Sequence, residues 1–593
     1  MSVARWGTII SCLCLAPPVA AQSAASGASA VPTHPAAPAP AQTSGSDVVV
    51  NAILDKRTIT WKRAESAHVI LIGKGSDAEL IRVTKNLERL HQLLTRLYRH
   101  GETADPTLKP QIVLVDSAAD FRALGLRDLR AAEGPYAAAV TRQSYYDPGE
   151  NGETLVLSRS GQIIDLDTVR AKNRDCDDTI HEGATDCTGA IPDHAPAARS
   201  WEELLYAAFA ERFIQTYDPA VYPRWYLDGI GALFSTIRIK PNGSIEYGRP
   251  PLDYRQAFRS YGDINLGDVL AGHYLTAAPG KPAWTPYHAW LITHYFLLSD
   301  LKPEWGRQFR DYMAAIHQGQ SPAEASKAFH DIGRLQRAVI SYADSAKPFT
   351  RALPPATAIA EPTVTPLMPA SAALVEARVE LATRLASLQA DAAAGVITSS
   401  PADTRAREAW LAQIRATVAQ QPYDTDAMLF AAEAECRAGH PAECLADAER
   451  VLARTPDDAT ALGWKGVALT DLAVLGPAAD RTAGLAAARR SLARAIATDG
   501  EAPLPLIARF LSFTKAGEPV PDDAMLGMAK VIRLVPAAPA PRLYLAEELL
   551  RQGQADAARR VAHTVLYGAY DSPEKTAATA LFASSAGSAG AGR

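Results

Sequence analysis

Six prolines fall between residues 348 and 369, at positions 348, 354, 355, 362, 366 and 369. Each lacks an amide donor and fixes its own φ, so a stretch this dense supports neither a helix nor an internal strand. The chain is therefore read as two folding regions, 48–346 and 370–583, joined by a linker over 347–369. Residues 22–47 carry Ala, Ser, Pro, Gly and Thr without periodicity and read as a further flexible linker. The run SSAGSAGAGR, 584–593, reads as a disordered tail. At 593 residues the chain is long enough for more than one core. Its 60 Lys and Arg against 65 Asp and Glu give a net charge of −5, which leaves no basic footprint for nucleic acid or an anionic membrane. With 48% hydrophobic residues it is not a wholly disordered chain.

Residues 1–21 combine Arg5, an apolar run from Thr8 to Leu15 and a small-residue end at Ala20-Ala21. That pattern predicts a secretory signal peptide cleaved after Ala21, and hence an exported protein, periplasmic or secreted. The apolar run is too short to span a bilayer, and no later segment is long enough. Cys12 and Cys14 would leave with the peptide. Cys176, Cys187, Cys436 and Cys444 remain, and an even count at short separations in an oxidising compartment predicts two local disulfides, Cys176–Cys187 and Cys436–Cys444.

The first region mixes strand and helix periods. Residues 67–72 (AHVILI), 111–115 (QIVLV), 136–141 and 154–157 read as strands, the last two joined through the turn-rich DPGENG. Leu80, Val83, Leu87, Leu90, Leu93, Leu94 and Leu97 recur in three- and four-residue steps, which predicts a helix over 77–98. Ser117 is placed to cap a short helix. From Trp201 the pattern is helical, over 201–217, 225–237, 284–299, 304–317, 322–330 and 332–343. A mixed sheet followed by a helical subdomain is an α+β arrangement.

The second region is helix after helix. Gly439 stands seven residues after Ala432, with the Cys444–Arg454 helix and Pro456 beyond it, and Gly553 stands seven after Ala546, with Ala558 following. Gly466 falls 34 residues after Ala432 in the run Leu462-Gly463-Trp464-Lys465-Gly466. Small residues at that spacing let paired helices approach, and about 34 residues is one helix-turn-helix unit. The region resembles degenerate tetratricopeptide repeats.

Residues 201–236, WEELLYAAFAERFIQTYDPAVYPRWYLDGIGALFST, resemble the gluzincin metallopeptidases, and the resemblance extends over about 55–345. Residues 61–68, 287–295 and 328–335, with Tyr342, support it as flanking motifs. In that family one helix carries His-Glu-x-x-His, placing two imidazoles and a catalytic glutamate on one zinc ion, and the next helix supplies a third ligand from a Trp-Tyr-x-Glu-Gly-type motif. Anchored on Phe213 and on Trp225 to Gly229, the resemblance puts Ala207 at the first histidine, Ala208 at the glutamate, Glu211 at the second histidine and Asp228 at the third ligand. Alanine has no lone pair for zinc and cannot take a proton. The resemblance thus implies an α+β peptidase-like domain without catalytic residues or a metal, followed by an all-α repeat domain. Glu211, Asp228 and His181 are weak metal candidates, and Tyr287 is a candidate cleft residue.

The loop holding Cys176, His181, Glu182, Cys187 and His194 offers a disulfide or, alternatively, a structural zinc site. His288 and His294 lie six apart and so do not share a helix face, and His294 reads as a core histidine. Glu202 and Glu203 read as a solvated first turn. These features predict an exported, catalytically inactive peptidase-like protein that binds a peptide or protein partner through its cleft and repeats, with no cofactor. The alternative is an active exported metallopeptidase that holds zinc through Glu211, Asp228 and a loop histidine.

Overall fold

The structure is a computed structural model that describes residues 60–98, 108–126, 144–164, 197–250, 265–273, 286–344, 351–354, 358–394 and 399–590. All of them belong to one compact unit, Thr60–Arg99 with Thr103–Arg593. The signal segment 1–21, the linker 22–47, the strand expected at 136–141 and the loop with Cys176, His181, Glu182, Cys187 and His194 lie outside the described residues.

Helix α1 (Asp77–Tyr98) matches its predicted bounds, and the stripe from Leu80 to Leu94 is buried. It crosses between two strands of a mixed sheet. In chain order the strands are β1 (Lys62–Glu65), β2 (Ile70–Gly73), β3 (Gln111–Val115), β4 (Ser144–Gly149), β5 (Gly152–Ser158), β6 (Gln162–Ile164), β7 (Ala197–Arg199), β8 (Arg238–Ile239), β9 (Ile245–Tyr247), β10 (Arg351–Leu353) and β11 (Thr363–Pro366). Six of them form one sheet in the order β11-β1-β2-β3-β5-β4. The β2–β3 and β3–β5 pairs are parallel and the outer pairs antiparallel. Alternation sorts the strand residues onto two buried faces. Leu71, Ile112, Leu114, Leu155 and Leu157 join the main core beside α1, while Ile70, Ile72, Val113, Val115 and Val156 face a second cluster.

Helix α2 (Ala118–Ala123) is capped by Ser117, whose Oγ accepts from the Asp120 amide at 3.1 Å. The helical subdomain comprises α3 (Trp201–Tyr217), α4 (Arg224–Ser235), α5 (Leu266–Leu270), α6 (Pro286–Leu298), α7 (Pro303–His317), α8 (Pro322–Ala325) and α9 (Ile332–Asp344). The helix expected over 322–330 tightens into a 3₁₀ turn at Ser326–Ala328.

Beyond it come α10 (Pro369–Ala373), α11 (Val375–Ala394), α12 (Pro401–Gln420), α13 (Thr425–Ala438), α14 (Pro441–Leu452), α15 (Ala459–Leu475) and α16 (Ala478–Thr498). They are followed by α17 (Pro503–Thr514), α18 (Asp522–Leu534), α19 (Pro539–Arg551), α20 (Ala555–Leu566) and α21 (Pro573–Gly590). Successive helices pack on one another as turn-linked pairs, the arrangement of tetratricopeptide-like repeats. Gly439 ends α13 at φ 86°, a left-handed cap that L side chains avoid. Gly466 is needed for approach, since a Cβ there would lie 2.4 Å from the Leu492 side chain on α16.

The Cys436–Cys444 disulfide is present and links α13 to α14 across a sequence separation of 8, with a Cα–Cα distance of 5.1 Å. A cross-link over so short a loop stabilises at the low end of the usual range, about 2 kcal/mol. Urea unfolding with and without reductant is expected to differ by that amount, and a Cys436→Ser/Cys444→Ser variant should be indifferent to reductant.

Two boundaries differ from expectation. The proline-rich segment 347–369 is not a bare linker. Its residues 363–366 form β11, which pairs antiparallel with β1, and the Leu367 amide donates to the Trp61 carbonyl at 3.0 Å. Residues 351–353 form β10, which pairs with β9. Both are outermost strands of their sheets, where a missing proline amide costs no ladder bond. Val375 and Val379 of α11 then close the second face of the sheet over Trp61, Ile70 and Ile72. Similarly, the tail expected from Ser584 is helical through Gly590 as the end of α21. Alanine-rich sequence favours helix, and Phe582 anchors the preceding turn in the core.

Candidate functional site

Helix α3 begins at Ser200, whose Oγ accepts from the Glu203 amide at 3.2 Å, and buries Leu205, Phe209, Phe213 and Ile214. A charged side chain faces inward with them. Arg212, 3% exposed, is ion-paired with Glu153 of β5, 7% exposed, and Thr216 Oγ1 donates to the same carboxylate at 2.7 Å. This buried network fixes how α3 lies on the sheet.

Helix α4 lies between α3 and α6, and its Gly-Ile-Gly run makes that possible. A Cβ on Gly229 would sit 2.0 Å from Thr293 Oγ1 and 2.6 Å from the Ala289 carbonyl, both on α6. On the other side, a Cβ on Gly231 would sit 3.2 Å from the Ala207 carbonyl of α3. Ala207 and Ala208, at the positions assigned to the first histidine and the glutamate, are half-buried and present only methyl groups there.

The two remaining positions carry carboxylates with other partners. Glu211 accepts a hydrogen bond from the Tyr570 hydroxyl, which comes from the turn between α20 and α21. Asp228 Oδ1 accepts from Arg224 Nε at 2.8 Å, one helical turn away on α4. The Arg224 guanidinium lies over the Tyr570 ring at 4.4 Å from its centroid. Burial alone would lower the Arg224 pKa, but the charge of Asp228, followed by Tyr570 and Glu211, raises it well above the usual range. The cluster is thus a guanidinium and a phenol set among two carboxylates. It supplies hydrogen bonds and charge neutralisation, whereas a zinc-type site needs convergent lone pairs and a base poised on water. A fixed cation at the centre also disfavours a second, divalent one.

The sequence reading named Glu211 and Asp228 but missed Arg224 and Tyr570. The Arg224–Asp228 pair was legible as an i,i+4 ion pair. Tyr570 is 359 residues from Glu211, and nothing local marks it.

The other candidates are placed as follows. Burial pushes the His288 imidazole down to about 3, so it is neutral at ordinary pH. His294 is a core histidine as expected, with Nε2 2.9 Å from the Gly248 carbonyl and Nδ1 2.7 Å from the Tyr342 hydroxyl. The Tyr287 side chain lies outside the described residues. Glu202 is not simply solvated, for it accepts from Arg82 at 2.7 Å and from the Tyr206 hydroxyl at 2.8 Å. It lines a cavity of about 600 Å³ with Trp201, Arg238 and Arg249.

No family model matches the chain, and no curated protein matches it. Solved structures that show likeness include two helical examples. One is TTC0263, a thermophilic TPR protein in Thermus thermophilus, with 22% identity and a TM-score of 0.27 over 30% of this chain and 90% of that one. The other is MamA, with 16% identity and a TM-score of 0.20 over 28% of this chain and 93% of that one.

Proposed function

We propose that this is an exported, non-catalytic binding protein in which a gluzincin-like domain and a helical repeat arm act together as a scaffold for a peptide or protein partner. One observation carries the reading. At the four positions assigned to catalysis and metal, two residues are alanines, and the two carboxylates are engaged by Arg224 and Tyr570. A carboxylate held by a tyrosine and flanked by a guanidinium is a structural group. The signal-like start and the Cys436–Cys444 disulfide both suit an oxidising compartment. Stacked helix pairs offer the kind of extended surface that holds peptides and partner proteins.

The test is to incubate the full chain with a fluorogenic peptide library in the presence of zinc, manganese or cobalt. Peptides are expected to be retained without cleavage, and chelator should leave retention unchanged. Metal-dependent turnover that disappears in Glu211→Gln would overturn the proposal.

A further inference from the structure

A second polar cluster, unrelated to the positions discussed above, lies where the β1–β2 turn meets α1. Glu88 and His91 are three apart on α1, a spacing that stacks both side chains on one helix face and that recurs where helices supply metal ligands. His68 reaches them from the turn, with Nδ1 2.8 Å from Glu88 Oε2. The His68 and His91 rings stack at 4.0 Å between centroids, 14° from parallel. Each of the three offers a ligating atom, and these atoms all lie within 4.8 Å of one another.

The surroundings are those of a built site. Glu88 and His91 are each 3% exposed, inside a predominantly leucine core, whereas the His68 side chain keeps 27% exposure and marks the way in from solvent. Both ligands on α1 are held from behind. Ser66 Oγ donates to Glu88 Oε1 at 2.6 Å, the His68 amide donates to the same oxygen at 2.7 Å, and Tyr217 of α3 is bonded to His91 Nε2 at 3.1 Å.

We propose that His68, Glu88 and His91 form a binding site for one divalent cation of the zinc class. Two imidazoles with one carboxylate are a recurrent zinc ligand set, and nitrogen donors select against calcium and magnesium. Bonds of about 2.0–2.1 Å put tetrahedral ligand atoms roughly 3.3 Å apart. The cluster therefore has to contract by up to about 1.5 Å, and the stacked rings have to turn so that both lone pairs meet the ion, which the partly exposed His68 on its turn can accomplish. The ion takes the place of the proton in the His68–Glu88 hydrogen bond; that proton moves to His68 Nε2 when the imidazole is neutral and leaves to solvent when it is an imidazolium. Tyr217 and Ser66 serve as the outer groups that orient ligands. A structural tie between the turn and the helix explains Ser66, His68 and Glu88. His91, bonded to Tyr217 and packed on Phe213 as well as on His68, brings a third potential ligand to the same pair.

The experiment is metal analysis of the purified full chain after zinc loading and dialysis, with X-ray absorption at the zinc edge. About one equivalent is expected, in a shell of nitrogen and oxygen that includes two imidazoles. His68→Gln and His91→Phe, the latter keeping the ring packing, should lose it. Glu211→Gln, Asp228→Asn and His181→Ala should keep it. A metal-free wild-type protein overturns the proposal whatever the variants do. So does sulfur in the zinc shell, which would place the ion at the Cys176–Cys187 loop, or full retention in both His68→Gln and His91→Phe.

Discussion

Replacing Arg212 by methionine is expected to cost about 3–5 kcal/mol of stability, the usual penalty for removing one partner of a buried ion pair. The side chain is 3% exposed and its partner Glu153 is 7% exposed, so the abandoned carboxylate has no solvent to turn to. Thr216 would still donate one hydrogen bond, at 2.7 Å, which is too little to hold a buried charge. Met retains most of the apolar stem, so the loss reports the charge rather than a cavity. The double variant Arg212→Met/Glu153→Leu should recover most of the stability, because a pair replaced by apolar groups of similar volume is often neutral. Urea denaturation of wild type, single and double variants measures all three. A single-variant cost below about 1 kcal/mol, or a double variant no better than the single, would show that the pair is not the anchor of α3.

The second large effect is expected at Gly229. A valine there must place carbon where Thr293 Oγ1 is 2.0 Å away and the Ala289 carbonyl 2.6 Å away. One obstacle is backbone, so α4 has to lift from α6, and the cost of such overpacking reaches about 3 kcal/mol. Gly231 is the internal control. Its nearest neighbour is at 3.2 Å, and Gly231→Ala gains about 1 kcal/mol of helix propensity to set against a small adjustment. Thermal unfolding should therefore separate Gly229→Val sharply from Gly231→Ala. Equal losses at both positions would argue that the run serves flexibility rather than packing.

How much of this was legible in the sequence depended on whether the cause was local. The stripe from Leu80 to Leu94 gave α1 at its observed bounds because one-sided burial imposes its own period. The strand expected at 67–72 begins at Ile70, because Ser66 and Val69 close a turn, with the Ser66 amide donating to the Val69 carbonyl at 3.0 Å. The strand expected at 136–141 lies outside the described residues, but the antiparallel neighbour of β5 is β4, which runs from Ser144 into Pro148-Gly149, residues that read as a turn. Their pairing with β5 overrides that local preference. β11 was hidden for a related reason, since proline is a poor marker against an edge strand. At the site, Glu211 and Asp228 were found through their neighbours in sequence. The groups that decide their chemistry were harder to see, and Tyr570 arrives from the far end of the repeats. His68, Glu88 and His91 escaped notice because the Glu-x-x-His pair on α1 lies within a helix whose apolar stripe dominated its reading.

The pairing of β11 with β1 also sets the order in which this chain can mature. The strand that completes the edge at β1 lies about 300 residues downstream of it. As the polypeptide leaves the ribosome, β1 to β5 emerge early but wait with an unsatisfied edge until Thr363–Pro366 follows. The valines of α11 that cover the second face arrive later still. A chain halted anywhere before residue 363 would expose both a strand edge and an apolar face, so synthesis itself holds the amino-terminal half unfinished until the first helices of the repeats have been made.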